Sequence, residues 1–92
     1  MALFLVSYDL RKKGEFDYQK LWDEFARLDS VKFQESDYFL ASDNTTAEIR
    51  DHFKQFVHED DLLMAAKLDE RDKPKYTRTL KGTTDWVNAH WE

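Results

Sequence analysis

Leu3-Phe4-Leu5-Val6-Ser7-Tyr8-Asp9, followed at once by Leu10-Arg11-Lys12-Lys13-Gly14, is the stretch on which the fold turns. The run is apolar and rich in residues that suit a pleated surface, so Ala2 to Tyr8 reads as a buried strand. Leu3 and Leu5 point to one face, and Phe4, Val6 and Tyr8 to the other. Apolar residues on both faces fit a central strand covered on both sides. Asp9 stands where the chain leaves the sheet. In open α/β sheets a metal ion or ligand is met at that end. The simpler role is a turn cap, because Asp accepts hydrogen bonds from nearby backbone N–H groups.

Outward from this strand, Gly14 marks a loop and Asp17 is a candidate N-cap. Tyr18, Leu21, Trp22, Phe25 and Leu28 then recur at helical spacing and predict a first amphipathic helix with a core-facing stripe. Val31-Lys32-Phe33-Gln34 and Tyr38-Phe39-Leu40-Ala41 predict two strands joined as a hairpin through Glu35-Ser36-Asp37. Thr45-Thr46-Ala47-Glu48 is a capping box, which opens a second helix carrying Ile49, Phe53, Phe56 and Val57 and closed by Glu59-Asp60-Asp61. Leu62 to Leu68 predicts a fourth strand. The order β-α-β-β-α-β is that of a ferredoxin-like α+β domain, an antiparallel four-stranded sheet with both helices on one face.

Residues 1–68 make up this unit, with the first and last strands expected in its centre. The face without helices is expected to expose Phe4, Val6, Tyr8 or their neighbours, and a homodimer packed through that face is the simplest cover. Residues 69–92 form a C-terminal extension. Asp69 to Lys75 reads as a charged loop holding the single Pro. Tyr76 to Leu80 alternates like a fifth, edge strand, and residues 84–91 predict a short helix capped by Thr84. Trp86 and Trp91 are expected to dock on the domain or on a second copy.

Composition narrows the function classes. Ninety-two residues make one small domain with a thin margin of stability, and 15% aromatic residues are generous for its core. The chain contains no Cys, so disulfides and thiolate metal sites are excluded. No apolar run is long enough to span a bilayer and no signal peptide is visible, so no membrane role and a cytoplasmic location are expected. A net charge of −5 argues against broad nucleic-acid binding, although Arg11, Lys12 and Lys13 form one local basic patch and Lys73, Lys75, Arg78 and Lys81 another. His52 and His58 lie six apart, off the same-face helical spacing, and with His90 they read as structural.

Three segments carry a resemblance. Leu5-Val6-Ser7-Tyr8-Asp9-Leu10, Gln34-Glu35-Ser36-Asp37-Tyr38-Phe39-Leu40 and Asp61-Leu62-Leu63-Met64-Ala65-Ala66-Lys67-Leu68 are similar to the small CRISPR-associated Cas-two superfamily, with its SinR-like and VapD-like ferredoxin-fold proteins. The resemblance covers about the first 68 residues. It implies a homodimer in which the strand-end Asp9 of each protomer faces its counterpart and the pair holds Mg2+ or Mn2+, hard cations suited to carboxylates. It further implies metal-dependent endonuclease activity on RNA or DNA in some members, and adaptor roles in others. By the same likeness Tyr76 to Leu80 would cross to the partner's sheet. Asp9 is then the candidate catalytic and metal residue, with Arg11, Lys12 and Lys13 contacting nucleic acid. Phe4, Val6, Tyr8, Tyr76, Leu80 and Trp86 are the candidate dimer interface. The alternative is a non-catalytic dimeric adaptor or inhibitor, binding a protein partner through its acidic surface, including Asp60 and Asp61, and its aromatic tail.

Overall fold

The computed structural model describes residues 1–91. Among them, four strands and three helices follow in the order β1 (Ala2–Asp9), α1 (Gln19–Arg27), β2 (Ser30–Gln34), β3 (Asp37–Ser42), α2 (Thr46–Lys54), β4 (Leu62–Lys67) and α3 (Thr83–His90). The sheet is fully antiparallel in the order β2-β3-β1-β4. This is the ferredoxin-like α+β arrangement, with one correction to the sequence reading. β1 and β3 are the central strands, and β4 lies at an edge. The burial of the two strands explains the difference: β3 holds four consecutive buried residues, Tyr38 to Ala41, whereas β4 leaves Leu62 and Met64 exposed.

β1 has two apolar faces because two separate cores meet at it. Phe4, Val6 and Tyr8 are buried with Leu21 and Phe25 of α1 and Ile49 and Phe53 of α2. The expectation that these three β1 residues line an open, dimer-forming face is therefore wrong. They face the helix layer, which is where their larger side chains find cover. Leu3 points the other way, into a second core with Phe39, Ala41, Val87 and Trp91. The C-terminal helix α3 thus covers part of the back face from within the same chain.

Local chemistry explains most element ends. Thr45 and Glu48 form the expected capping box. Asp17 accepts from the Gln19 N–H at 3.0 Å, one residue ahead of the N-cap, Tyr18. α2 stops at Lys54 rather than near Glu59, so Phe56 and Val57 pack on the core from a turn. α3 starts one residue before the expected position, with Gly82 as its N-cap in the left-handed region at φ 94°. Tyr76 to Leu80 is not a strand. It runs past β2, where the Leu80 N–H donates to the Phe33 carbonyl at 3.0 Å. The Tyr76 hydroxyl meets Thr84 Oγ1 at 2.9 Å. These ties hold the segment beside its own sheet as an irregular strap rather than the expected fifth strand. Trp86 likewise packs on the second core and donates from Nε1 to Asp29 Oδ1 at 3.0 Å.

The helix layer carries one strong electrostatic tie. Glu24 on α1 accepts from Arg27 Nε and Nη2, each at 2.7 Å, and contacts His52 of α2. The Arg27 hydrogen bonds foremost, with His52 adding to them against the opposing effect of burial, hold the Glu24 carboxyl down at about 2, from an ordinary 4.5. A depressed carboxyl stabilises the fold above its unfolded value, and that contribution disappears as pH falls from about 4.5 toward 2. Allowing for solvent screening, the loss amounts to about 1–2 kcal/mol. Urea unfolding at about pH 6 and about pH 3 is expected to show this loss in the parent and a smaller one in Glu24→Gln. Equal losses in both proteins would assign the acid sensitivity to other groups.

Candidate functional site

Asp9 ends β1 on the back face, opposite Leu62 in the register with β4. Leu5 and Ser7 share its face and lie opposite Ala66 and Met64. α3 covers Leu3, at the other end of this row. At the Asp9 end, Leu62 is 53% and Met64 48% exposed. Ser7, Asp9, Leu62 and Met64 line one open cleft of about 310 Å³. The region therefore combines a carboxylate, a hydroxyl and uncovered apolar side chains.

The Asp9 side chain is 58% exposed and its Oδ2 lies 3.0 Å from Arg11 Nη2. No backbone N–H among the described residues donates to it, so Asp9 is not the turn cap. Asp61 caps this turn from fifty residues away. Its Oδ1 accepts from the Arg11 N–H at 2.7 Å, its Oδ2 accepts from the His58 N–H at 2.7 Å, and the buried Tyr18 hydroxyl donates to both oxygens. Burial pushes the Asp61 carboxyl up. The Arg11 N–H, the Tyr18 hydroxyl and the His58 N–H outweigh that effect and hold it below its ordinary value. Asp61 is thus a structural hub, which sequence spacing could not show because two of its three donors, Arg11 and Tyr18, lie 50 and 43 residues away.

The basic run after Asp9 is spread out by this turn. Arg11 pairs with Asp9, and Lys12 Nζ reaches Asp60 Oδ2 at 3.3 Å. Lys13 lies beside Tyr8 and Trp22 at a small hollow. Trp22, expected in the core, sits at its margin, 37% exposed, and donates from Nε1 to the Tyr8 hydroxyl at 3.2 Å. Burial raises both the Tyr8 and Tyr38 hydroxyls above their ordinary value. The other basic cluster, in the extension, includes Lys73, which donates to Asn88 of α3.

A second carboxylate comes near Asp9 through the sheet register. Ser7 pairs with Asp37 of β3, which places Asp37 on the back face, diagonal to Asp9. Sequence separation hides this pairing until the β1–β3 register is known. Even so, among the described residues there is no group of three or more His, Cys, Asp or Glu side chains that could hold a metal ion. Mg2+ keeps several waters of its own and is held by as few as one or two carboxylates, so the donors on this face, Asp9 and Asp37, are of the type such a cation takes.

The histidines make structural contacts. His52 meets Glu24, and His58 Nδ1 accepts from the Asp60 N–H at 3.0 Å. His90 stacks on Trp86 at 3.7 Å between ring centres and places Nε2 2.8 Å from Asp29 Oδ2. No described helix is long and apolar enough to cross a membrane. Compared with known proteins, the chain matches no family model and no solved structure.

Proposed function

We propose that this chain works as a homodimer joined through the uncovered part of the back face, and that the paired Asp9 carboxylates form a site for Mg2+ or Mn2+ in which phosphodiester bonds of RNA or DNA are hydrolysed. The observation that carries this reading is the exposure of Leu62 and Met64 in the same cleft as Asp9. Uncovered apolar side chains favour a partner, and a two-fold contact through one patch brings like residues together. Hard carboxylate oxygens suit the cation, which when bound supplies an activated water to the site. Asp37 and Ser7 flank the paired acids on the same face, and Arg11 stands ready to exchange its Asp9 contact for a phosphate oxygen. This Asp9–Arg11 pair also favours a second reading, in which the dimer is an adaptor and Asp9 serves only surface electrostatics.

Light scattering and a cleavage assay test the two together. The parent is expected at twice the 11.1 kDa chain mass, and Met64→Asp is expected to shift it to monomer. Asp9→Ala should stay dimeric and lose cleavage by roughly a hundredfold or more, since even groups supporting a metal ligand are worth 10- to 100-fold. Cleavage that survives Asp9→Ala or chelation removes the shared-site reading. A dimer without cleavage leaves the adaptor. Its partner contact is then probed with Asp60→Lys alone, because reversing Asp61 would break the turn.

A further inference from the structure

The edge of β4 offers a second surface, independent of Asp9. Lys67 pairs with Phe4, and the Leu68 N–H donates to the Leu3 carbonyl at 2.8 Å. Backbone groups alternate sides along an antiparallel strand, so Leu62, Met64 and Ala66 bond inward to β1. Leu63, Ala65 and Lys67 therefore turn their N–H and C=O groups outward, to the unpaired side of the sheet. Natural edges are commonly blunted by a proline, a bulge or a cover, and β4 has neither a proline nor a bulge in its pairing with β1.

Beside this edge runs a groove against α2. Two hollows of about 510 and 370 Å³ adjoin there, both lined by Arg50 and Leu63. The floor is apolar, with Val57, Leu63 and Ala65. On the α2 side Arg50 and Lys54 stand one helical turn apart, both exposed. Lys67 falls on the same face of β4 as Leu63 and Ala65. Against these cations stand Asp51, whose Oδ1 lies 2.8 Å from Arg50 Nη2, and Glu59 at one end of the groove. Asp61, at the same end, is already saturated by its three donors. A cationic rim on an acidic chain selects an anionic occupant, and a free strand edge selects an extended one.

We propose that β4 takes an extended acidic peptide as a fifth strand, its carboxylates facing Arg50 and Lys54 and its alternate apolar side chains extending the back-face surface of Leu62 and Met64. Main-chain pairing supplies affinity in this mode, and alternate side chains supply selection.

Fluorescence anisotropy of a labelled eight-residue peptide alternating glutamate and valine, titrated with the full chain, tests the proposal. Saturable binding is expected, weakened about tenfold or more in Arg50→Glu/Lys54→Glu, two exposed positions where the fold is safe. Ala65→Pro removes an outward N–H and no bond to β1, so with an unchanged circular dichroism spectrum it is expected to abolish binding. Four binding results would overturn the proposal, and one self-association result would as well. The four are absence of binding, equal binding of the lysine–valine counterpart, indifference to the Arg50 and Lys54 changes, and a single-stranded oligonucleotide binding in place of the peptide. A chain whose self-association is lost in Ala65→Pro would give the edge to a second copy instead.

Discussion

Trp91→Ala is expected to destabilise the protein by about 3–5 kcal/mol, the range for removing a large aromatic side chain from a packed core. Trp91 is 2% exposed although it lies next to the last residue. Its ring meets Phe39 edge-on at 5.8 Å, and Nε1 donates to the Asp69 carbonyl at 3.2 Å. These contacts fasten the end of α3 over Leu3, Phe39 and Ala41. For a domain whose whole stability is about 5–15 kcal/mol, the loss leaves a narrow margin. Trp91→Phe keeps the ring and gives up the hydrogen bond, worth about 1 kcal/mol. Trp22→Ala is the contrast, since Trp22 is 37% exposed and lies at the margin of the other core. Denaturant unfolding of the three variants ranks them. If Trp91→Ala costs no more than Trp22→Ala, α3 does not close the second core in solution.

The same contacts show where sequence was informative. Periodicity identified β1, both helices of the main layer and the hairpin, because each carries a complete local pattern of apolar residues or a cap. It also separated Leu3 and Leu5 from Phe4, Val6 and Tyr8. It could not say which set the helices cover, because alternation defines two faces without naming them. That choice, with the assumption that β4 is central, misplaced the expected dimer surface onto residues that are core. The extension was misread for a related reason. Tyr76 to Leu80 alternates like a strand, yet only one of its backbone donors reaches β2, and its remaining ties run to α3. At the candidate site, Asp9 was visible from its position at a strand end. Asp37 and Asp61 were not, since one depends on the β1–β3 register and the other on a turn closed across fifty residues. The distinction matters for function. Asp9 is exposed and held by a single arginine, so it is free to change partners, whereas Asp61 is bound to its donors and is not.

Phe25→Ala carries the other large effect, about 3–5 kcal/mol. Phe25 is 1% exposed and lies between two rings, with Tyr38 of β3 at 3.7 Å and 7° on one side and Phe53 of α2 at 4.2 Å and 13° on the other. A single side chain on α1 thus joins the sheet to both helices. Its removal opens a void that three elements border, and rigid elements collapse into such a void poorly. Phe25→Leu keeps most of the volume and is expected to cost less than half as much, which separates filling from ring contact. Coupling provides the sharper measurement. Rings in contact contribute about 0.5–1.5 kcal/mol beyond their buried area, so Phe25→Ala combined with Phe53→Ala should cost less than the sum of the two by about that amount. Leu21→Ala, on the same helix but outside the stack, is the control for the cost of emptying the core. If the Phe25 and Phe53 losses simply add, the two rings occupy the core separately. The helix layer would then be held by its apolar area and by the Glu24 tie rather than by a continuous aromatic column from β3 to α2.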